Sequence, residues 1–370
     1  MKRIVVAAIA AASAAAIAAA PLPSTIRIGA AETLTGDNSA YGLSIEKGLN
    51  LALDEINSSN FLGSSRIKLT ILDDKADKQE GISVFNRLIS DEKVCAIVGP
   101  TLSSTAFAAD PVAQQAGIPV LGTSTTALGI TAMGDFIFRD SLPQAAVIPG
   151  TVNDVIAKYH PKKAALLYES TNEYSKSEAE VFKGALAKAG IDLVGSESYQ
   201  HGDSDFRTQL AKLAQKRPDI FVFCSLVGEA VPVLEQAREI GITQPIIGGN
   251  GFNSPVVIQN AKEASEGLIV GAAWSITSDN PKSKAFVAAF NAKYGSNPDQ
   301  FAAQSYTGLW LLATAIKNAG STDPVAIKKA LGALRDIDTA LGTFSFDANR
   351  DPVHHNAVLV VKNGNYVLFK

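Results

Sequence analysis

The fold is decided by one short stretch, Val94-Cys95-Ala96-Ile97-Val98-Gly99-Pro100-Thr101-Leu102-Ser103-Ser104-Thr105. Its first five residues are apolar and Gly-Pro ends the run, which predicts a short buried strand over Val94–Val98. A helical stretch, Ser104–Gln115, follows, and a second apolar strand, Ile118–Gly122, comes after it. A strand, a helix and a strand in this order predict parallel pairing within a sheet that helices cover.

The same alternation extends in both directions along the chain. The first half adds the strands Thr25–Ala30 and Arg66–Leu72 and the helices Leu43–Ile56 and Gln79–Ile89. The second half repeats the pattern with the strands Ala164–Tyr168, Leu193–Tyr199, Ile220–Cys224 and Pro245–Gly248 and the helices Thr151–Tyr159, Lys176–Ala189, Phe206–Gln215 and Ala230–Ile240. The repetition predicts an α/β protein with two doubly wound parallel-sheet domains of similar size, each with about five strands.

The residues after 268 are too few for a third domain of this kind. They predict a strand, three helices and a hairpin: Leu268–Ala272, Ser283–Tyr294, Phe301–Ala319, Ala326–Leu334, and Ala357–Lys362 joined to Tyr366–Phe369 by an Asn363-Gly364 turn. These elements must add to the existing sheets. We therefore expect the chain to cross between the domains near Arg139–Gln144, Ala272–Thr277 and Phe344–Arg350. The predicted lobes are 25–141 plus 275–346 and 142–274 plus 347–370.

The amino terminus reads Met1-Lys2-Arg3 and continues with an apolar, alanine-rich run from Ile4 to Ala20. A positive start followed by such a run predicts a secretory signal peptide over residues 1–24, cut between Ala18 and Thr25. The alternative is a membrane anchor, which the run is barely long enough to form. The pattern favours export.

Composition limits the remaining possibilities. The formal net charge is −3, and a mildly acidic protein of this kind is not expected to bind nucleic acid. The two cysteines, Cys95 and Cys224, lie in or at the end of separate apolar runs. This placement favours free, buried thiols, although an exported protein offers the alternative of a disulfide.

Two loops carry the pattern of a binding site. Gly99–Thr105 and Gly122–Thr126 each follow a strand, and both are rich in hydroxyls and small residues. At the carboxyl ends of parallel strands, such loops can hold an anion with hydroxyls and backbone N–H groups. Ordinary helix capping by Ser and Thr is the alternative explanation.

No pattern in the chain predicts catalysis, a cofactor or a metal site. The sequence contains no Gly-x-Ser-x-Gly, Walker or His-Glu-x-x-His motif, and Gly248–Gly251 lacks the dinucleotide-binding spacing. The stretch from His201 to Asp205 resembles a metal cluster, but Asp205 is better explained as the cap of the following helix. We expect a binding protein rather than an enzyme.

The chain resembles the type I periplasmic binding proteins of ABC transporters, in the leucine/isoleucine/valine-binding family. The likeness covers the mature sequence. Each matching block is a weak signal alone, but their order along the chain is a strong one. The blocks are Ile28-Gly29, Leu34-Thr35-Gly36, Ala40-Tyr41-Gly42, Asp54-Glu55-Ile56-Asn57, Asp73-Asp74, Gly99-Pro100, Ser103-Ser104, Ala116-Gly117-Ile118-Pro119-Val120, Asp205-Phe206 and Gln236-Ala237-Arg238-Glu239-Ile240-Gly241. The resemblance implies two lobes joined by three hinge crossings that close on a ligand. It also implies a monomer in the periplasm, with an ABC transporter permease as its partner.

The resemblance also implies roles for particular residues. The ligand carboxylate would bind Ser103, Ser124 and Thr126, which lie in the two loops described above. Tyr41 and Tyr174 match aromatic positions at the mouth of the cleft.

One position departs from the family pattern. Amino-acid binders of this family have a carboxylate in the second lobe for the ligand's ammonium, and here Asn250 occupies that place, while Leu226 replaces a common Tyr. Either Glu169 or Glu229 substitutes for the missing carboxylate, or the ligand has no ammonium. Asn250, Leu226 and Trp274 favour an aromatic or 2-oxo acid, with a branched-chain or aromatic amino acid as the alternative. A ligand-sensing receptor lobe of the same fold is the alternative function.

Overall fold

The computed structural model describes residues 22–369. Most of the predicted signal peptide, residues 1–21, lies outside the described residues. Among the described residues, no helix combines the length and the apolar character that a membrane span requires. Both cysteines are free and buried.

Strands and helices alternate through most of the chain. The strands are β1 Thr25–Glu32, β2 Arg66–Asp73, β3 Ala96–Val98, β4 Val120–Gly122, β5 Ile137–Arg139, β6 Lys163–Glu169, β7 Asp192–Tyr199, β8 Ile220–Cys224, β9 Ile246–Gly248, β10 Leu268–Ala272, β11 Ile337–Thr339, β12 Gly342–Phe346, β13 Pro352–Val353, β14 Ala357–Lys362 and β15 Asn365–Leu368. The α-helices are α1 Ser39–Ser58, α2 Lys78–Ser90, α3 Ser103–Ala116, α4 Gln144–Tyr159, α5 Glu173–Lys188, α6 Arg207–Gln215, α7 Val227–Glu239, α8 Pro255–Ala261, α9 Pro281–Tyr294, α10 Gln300–Ala319 and α11 Pro324–Gly332.

Two parallel sheets organise the molecule. The first has the order β2-β1-β3-β4-β5, and the second has the order β15-β14-β10-β9-β8-β6-β7. The strands of the first sheet are all parallel, whereas β14 joins β10 antiparallel and continues into β15 as a hairpin. We call the halves built on these sheets lobe 1 and lobe 2. The predicted α/β architecture is confirmed.

The chain passes between the lobes more than once. It leaves the first sheet after β5, and it leaves the second sheet after β10. Helix α10 then packs against α1 of lobe 1, where the Ser305 hydroxyl donates to the Ile45 carbonyl oxygen. A small sheet, β11-β12-β13, precedes the return to β14 in lobe 2. These passages agree with the three expected crossings, while the exact lobe boundaries stay a prediction.

Some elements were not predicted from the sequence. Strand β5 is only three residues long, and α8 is a short helix that leads directly into a 3-10 helix, Lys262–Ser265. Helix α4 begins at Gln144 rather than Thr151. Its first turns contain Pro149, a residue that normally argues against a helix interior.

The contact between α1 and α10 depends on a glycine. A Cβ atom at Gly48 would lie 2.2 Å from the Ser305 Oγ and 2.3 Å from the Ala302 carbonyl oxygen. The two helix backbones are therefore too close for any side chain at this position. Since α10 carries residues that reach the other lobe, this packing also positions the cleft.

We expect Gly48→Ala to lower the free energy of unfolding by about 1–3 kcal/mol, because the added methyl group must push the helices apart. Gly184→Ala in α5 is the matched control, since a Cβ there meets no atom within 4 Å. The control should stabilise the protein by about 0.5–1 kcal/mol through helix propensity. Thermal denaturation measures both changes, and equal melting temperatures for the two variants would contradict the packing argument.

Candidate functional site

A cavity lies between loops of the two lobes. Loops after β3 and β4 of lobe 1 form one wall, and loops after β8 and β9 of lobe 2 form the opposite wall. We call it the cleft cavity, and its lining residues are Tyr41, Thr101, Leu102, Ser103, Ser124, Tyr174, Leu226, Asn250, Gly251 and Phe301. Ligands of open α/β sheets bind at such carboxyl ends of strands.

The lobe 1 wall is the amino-terminal end of α3. The residue at the N-cap position is Leu102, and no side chain caps the helix. The first N–H groups of α3 therefore lack a side-chain acceptor, and the positive end of the helix dipole lies at the cavity. Helix capping, the alternative explanation of this hydroxyl-rich loop, does not occur here. The loop after β4 precedes a short 3-10 helix, Thr131–Met133, so of the two hydroxyl-rich loops it is the one after β3 that leads into an α-helix.

The two serine hydroxyls of this wall differ in whether their proton remains available to a ligand. Ser124 donates its proton to the Thr101 carbonyl oxygen at 2.6 Å. Ser103 accepts from the Ala127 N–H at 3.3 Å, which leaves its own proton available to an anion. Of the two buried serines, Ser103 is therefore the better donor to a carboxylate.

One tyrosine of lobe 1 closes the cleft against lobe 2. The Tyr41 hydroxyl donates to the Gly251 carbonyl oxygen at 2.5 Å and accepts from the Val227 N–H at 2.7 Å. Since Val227 begins α7, Tyr41 caps that helix from the other lobe. Asn38 adds a longer contact, accepting from the Gly228 N–H at 3.4 Å. Burial raises the pKa of Tyr41 well above its usual value, so the hydroxyl keeps its proton.

The orientation of Asn250 is fixed by its neighbours. Gln300 accepts from the Ala273 N–H at 3.0 Å through its Oε1, so its Nε2 is the end that donates to the Asn250 Oδ1. The Asn250 Oδ1 is therefore already occupied as an acceptor. Its Nδ2 makes no hydrogen bond to another residue of the described chain, and it is the end left for a ligand.

A sequence model of the family described as periplasmic binding protein matches residues 25–365 of the chain. The chain belongs to this family. A relative from Pseudomonas aeruginosa, the leucine-, isoleucine-, valine-, threonine- and alanine-binding protein, is 28% identical over 328 residues, covering 88% of this chain and 87% of the relative. The protein is accordingly a type I periplasmic binding protein of the leucine/isoleucine/valine-binding group.

Solved structures share the whole fold. The branched-chain amino acid transporter substrate binding protein LivJ from Streptococcus pneumoniae, in complex with isoleucine, has a TM-score of 0.87 and 32% identity, over 92% of this chain and 97% of that one. A solute binding protein from R. palustris in complex with benzoate has a TM-score of 0.84 and 24% identity, over 93% and 95% of the two chains, which shows the fold alone. The relatives are substrate-binding proteins of ABC transporters.

The predicted site residues of this binding protein do not all lie together. Six of them line the cleft cavity: Tyr41, Ser103, Ser124, Tyr174, Leu226 and Asn250. Thr126 lines a neighbouring cavity that shares Asn250 with the first. Trp274 lines neither, because its indole N–H donates to the Ser283 hydroxyl at 2.8 Å and its ring packs edge-on against Phe286.

The neighbouring cavity holds an acid that the sequence did not reveal. We call it the hinge cavity, and its polar lining residues are Thr126, Gln144, Thr151, Glu178, Asn250 and Gln304. Burial raises the pKa of Glu178 to about 8, against the hydrogen bond from Tyr174 and that from the Asn250 backbone. Glu178 is therefore mostly protonated at neutral pH. Its place in the middle of α5 gave no signal beyond an ordinary helical Glu.

We expect Tyr41→Phe to shift the ligand-free protein toward an open cleft. The change leaves the Val227 N–H and the Gly251 carbonyl without partners in the closed form, which costs about 1–3 kcal/mol. Small-angle scattering should then give a larger radius of gyration than for the wild type. Tyr306→Phe is the control, because that hydroxyl bonds Glu55 within lobe 1. An unchanged scattering profile of Tyr41→Phe would show that this hydroxyl does not hold the lobes.

We expect the ionisation of Glu178 to make the free energy of unfolding decrease as pH rises. Its pKa is about 8 in the folded protein and 4.5 as an unperturbed group, so the unfolded chain loses this proton first as pH rises. The contribution to stability is complete below pH 4.5 and is lost progressively up to pH 8. We expect Glu178→Gln to flatten the decrease in unfolding free energy over this range, as measured by urea denaturation. Glu180→Gln, an exposed change on the same helix, should not. Equal slopes for Glu178→Gln and the wild type would refute the assignment.

Proposed function

We propose that this protein captures a small organic acid without an ammonium group in the cleft cavity and delivers it to the permease of an ABC importer. The observation that carries the proposal is the orientation of Asn250. With its Oδ1 bonded to Gln300, the side chain presents an N–H donor at the position where an ammonium would need an acceptor. A donor suits the oxygen of a 2-oxo or hydroxyl group.

The first lobe supports the same ligand class. The uncapped start of α3 and the Ser103 hydroxyl form a neutral donor set for a carboxylate, as at other helix amino termini. The rest of the cavity is aromatic or aliphatic, with Tyr41 and Phe301 in contact at 4.7 Å between ring centroids and Leu226 from lobe 2. We propose that the carboxylate binds at α3 and that the apolar part of the ligand packs between these side chains.

An ammonium would lack a compensating charge in this cavity. Glu169 and Glu229, the substitutes considered from the sequence, line neither the cleft cavity nor the hinge cavity. Glu178 is close to Asn250 but holds its proton at neutral pH. A buried cation without an ionised partner costs several kcal/mol. This argument favours an aromatic or aliphatic 2-oxo acid over the matching amino acid.

A branched-chain or aromatic amino acid is the second candidate, favoured by the relatives. The Pseudomonas aeruginosa relative is named for amino acids, and the LivJ structure holds isoleucine. For such a ligand, Glu178 would have to ionise on binding. Export through the segment 1–24 and a periplasmic location complete the proposal.

Calorimetry with matched ligands tests the choice. We expect 4-methyl-2-oxopentanoate or phenylpyruvate to bind at least about tenfold more tightly than leucine or phenylalanine, because only the oxo group matches the Asn250 donor. Asn250→Glu should weaken the 2-oxo acid about thirtyfold or more by placing an unpaired carboxylate in the cavity. Asn86→Glu adds the same charge at an exposed position of α2 and should leave the affinity unchanged.

Two results would contradict the proposal. Tighter binding of the amino acid in each pair would show that the ligand carries an ammonium. Equal affinities of a 2-oxo acid for the wild type and Asn250→Glu would show that Asn250 does not face the ligand.

A further inference from the structure

A second cluster of ligating side chains lies on lobe 2, outside both cavities. It consists of Glu169, the last residue of β6, His201, which follows β7, and Glu229 in the first turn of α7. One carboxylate oxygen from each Glu and one ring nitrogen of His201 all lie within 4.8 Å of one another. Parallel strands and the helix that follows β8 therefore bring three metal-ligating groups to one point.

Hydrogen bonds hold these groups in place. The His201 Nδ1 lies 2.8 Å from the Glu229 Oε1. The Thr171 hydroxyl donates to the Glu169 Oε1 at 2.8 Å and accepts from the His201 backbone N–H at 3.1 Å. Thr171 thus orients both the first carboxylate and the loop that carries the imidazole. Such outer contacts are what fixes ligand geometry in metal sites.

The second oxygens of both carboxylates lack partners. Glu169 is 1% exposed and Glu229 is 4% exposed, and in the described part of the chain neither Oε2 receives a hydrogen bond. Buried, unpaired carboxylate oxygens are costly unless a cation or a donor compensates them. Burial and the nearby Glu229 also raise the pKa of Glu169, although its bond from Thr171 opposes this. The cluster has more acceptor capacity than the protein satisfies.

We propose that Glu169, His201 and Glu229 form a binding site for a first-row divalent transition metal, with Zn²⁺ as the best match. Zn²⁺ accepts both imidazole nitrogen and carboxylate oxygen as ligands, and water would complete a four-coordinate shell around three protein ligands. Ca²⁺ and Mg²⁺ require more oxygen ligands and no imidazole. A metal at this point would take the place of the proton that His201 and Glu229 share and would give the two buried carboxylates a positive partner.

The neighbours of His201 in sequence do not take part. Asp203 accepts from the Gln200 N–H, and Asp205 pairs with Arg207. The residues that join His201 in the cluster are therefore not its neighbours in the segment His201–Asp205 but Glu169 of β6 and Glu229 of α7. Asp205 does accept from the Arg207 N–H, but the N-cap position of α6 is Phe206, so the cap predicted at Asp205 is shifted by one residue.

The position of Glu229 connects this site to the cleft. Val227, two residues earlier, donates its N–H to the Tyr41 hydroxyl of lobe 1. A metal that binds Glu229 therefore fixes the helix turn against which lobe 1 closes. The site itself depends only on lobe 2 and stands whichever ligand the cleft binds.

Titration with Zn²⁺ tests the site on protein purified without a polyhistidine tag and stripped with a chelator. We expect one equivalent to bind, and His201→Ala, Glu169→Gln and Glu229→Gln each to weaken binding at least about tenfold. His160→Asn removes another exposed histidine and should change nothing. Co²⁺ is the spectroscopic probe: its d–d absorption in the wild type should change in His201→Ala, which shows direct ligation.

Zn²⁺ should also raise the melting temperature of the wild type and not that of His201→Ala, whose side chain is more than half exposed and is not needed for folding. Absence of stoichiometric Zn²⁺ binding to the wild type would overturn the proposal. Binding that survives both His201→Ala and Glu229→Gln would also overturn it, because the metal would then be held elsewhere.

Discussion

The hydroxyl of Tyr41 is the contact on which the closed arrangement of the two lobes depends. It lies on α1 of lobe 1, yet both of its hydrogen bonds go to the backbone of lobe 2, at Val227 and Gly251. A Cβ atom at Gly251 would lie 2.2 Å from the Ser225 carbonyl oxygen, so only glycine lets these two loops approach closely enough to share one hydroxyl. Tyr174 then accepts from the Gly251 N–H at 2.7 Å. Tyr41 and Tyr174 thus hold the loop that carries Asn250. Their positions therefore determine which polar group lobe 2 presents to the cavity.

The orientation of the Asn250 amide is set by residues outside the cleft cavity. Its amide is oriented by Gln300, and Gln300 is oriented in turn by the backbone N–H of Ala273, which directly follows β10 where the chain leaves lobe 2. Helix α10, which carries Gln300, is placed by its close packing on α1 at Gly48. A hinge segment, a lobe 1 helix and a lobe 2 loop therefore cooperate to present one N–H donor. A ligand that needs an acceptor at this place would have to break this series of hydrogen bonds.

The sequence predicted the features that depend on local pattern. Apolar runs located most strands of both sheets, and the hydroxyl content located the two loops. The family resemblance singled out Ser103 and Ser124 within these loops, and both line the cavity. Strand β5 was missed because three residues, Ile137–Arg139, carry too little periodicity to be distinguished from a loop. Glu178 was missed because its burial results from the packing of α5 against the loop after β9, where a Cβ at Gly249 would lie 1.7 Å from its Oε1. Trp274 was expected near the ligand, but aromatic packing with Phe286 takes it elsewhere. Residue type alone does not reveal such distant contacts.

Buried acids lie near the site in both lobes, and their charge affects which ligand can bind. Lobe 1 offers the positive end of α3 and neutral hydroxyls, although its buried Glu32 accepts a hydrogen bond from the cavity-lining Thr101. Lobe 2 contains three buried acids, Glu169, Glu178 and Glu229. Negative charge on the acids of lobe 2 would oppose the approach of an anionic ligand. Glu178 is neutralised by its proton, since burial raises its pKa to about 8. Glu229 has His201 at 2.8 Å, and within residues 22–369 the Glu169 carboxylate has only the Thr171 hydroxyl as a hydrogen-bond partner. A divalent cation at these last two acids would remove negative charge from lobe 2 beside the cleft, so the proposed metal site would favour the proposed anionic ligand.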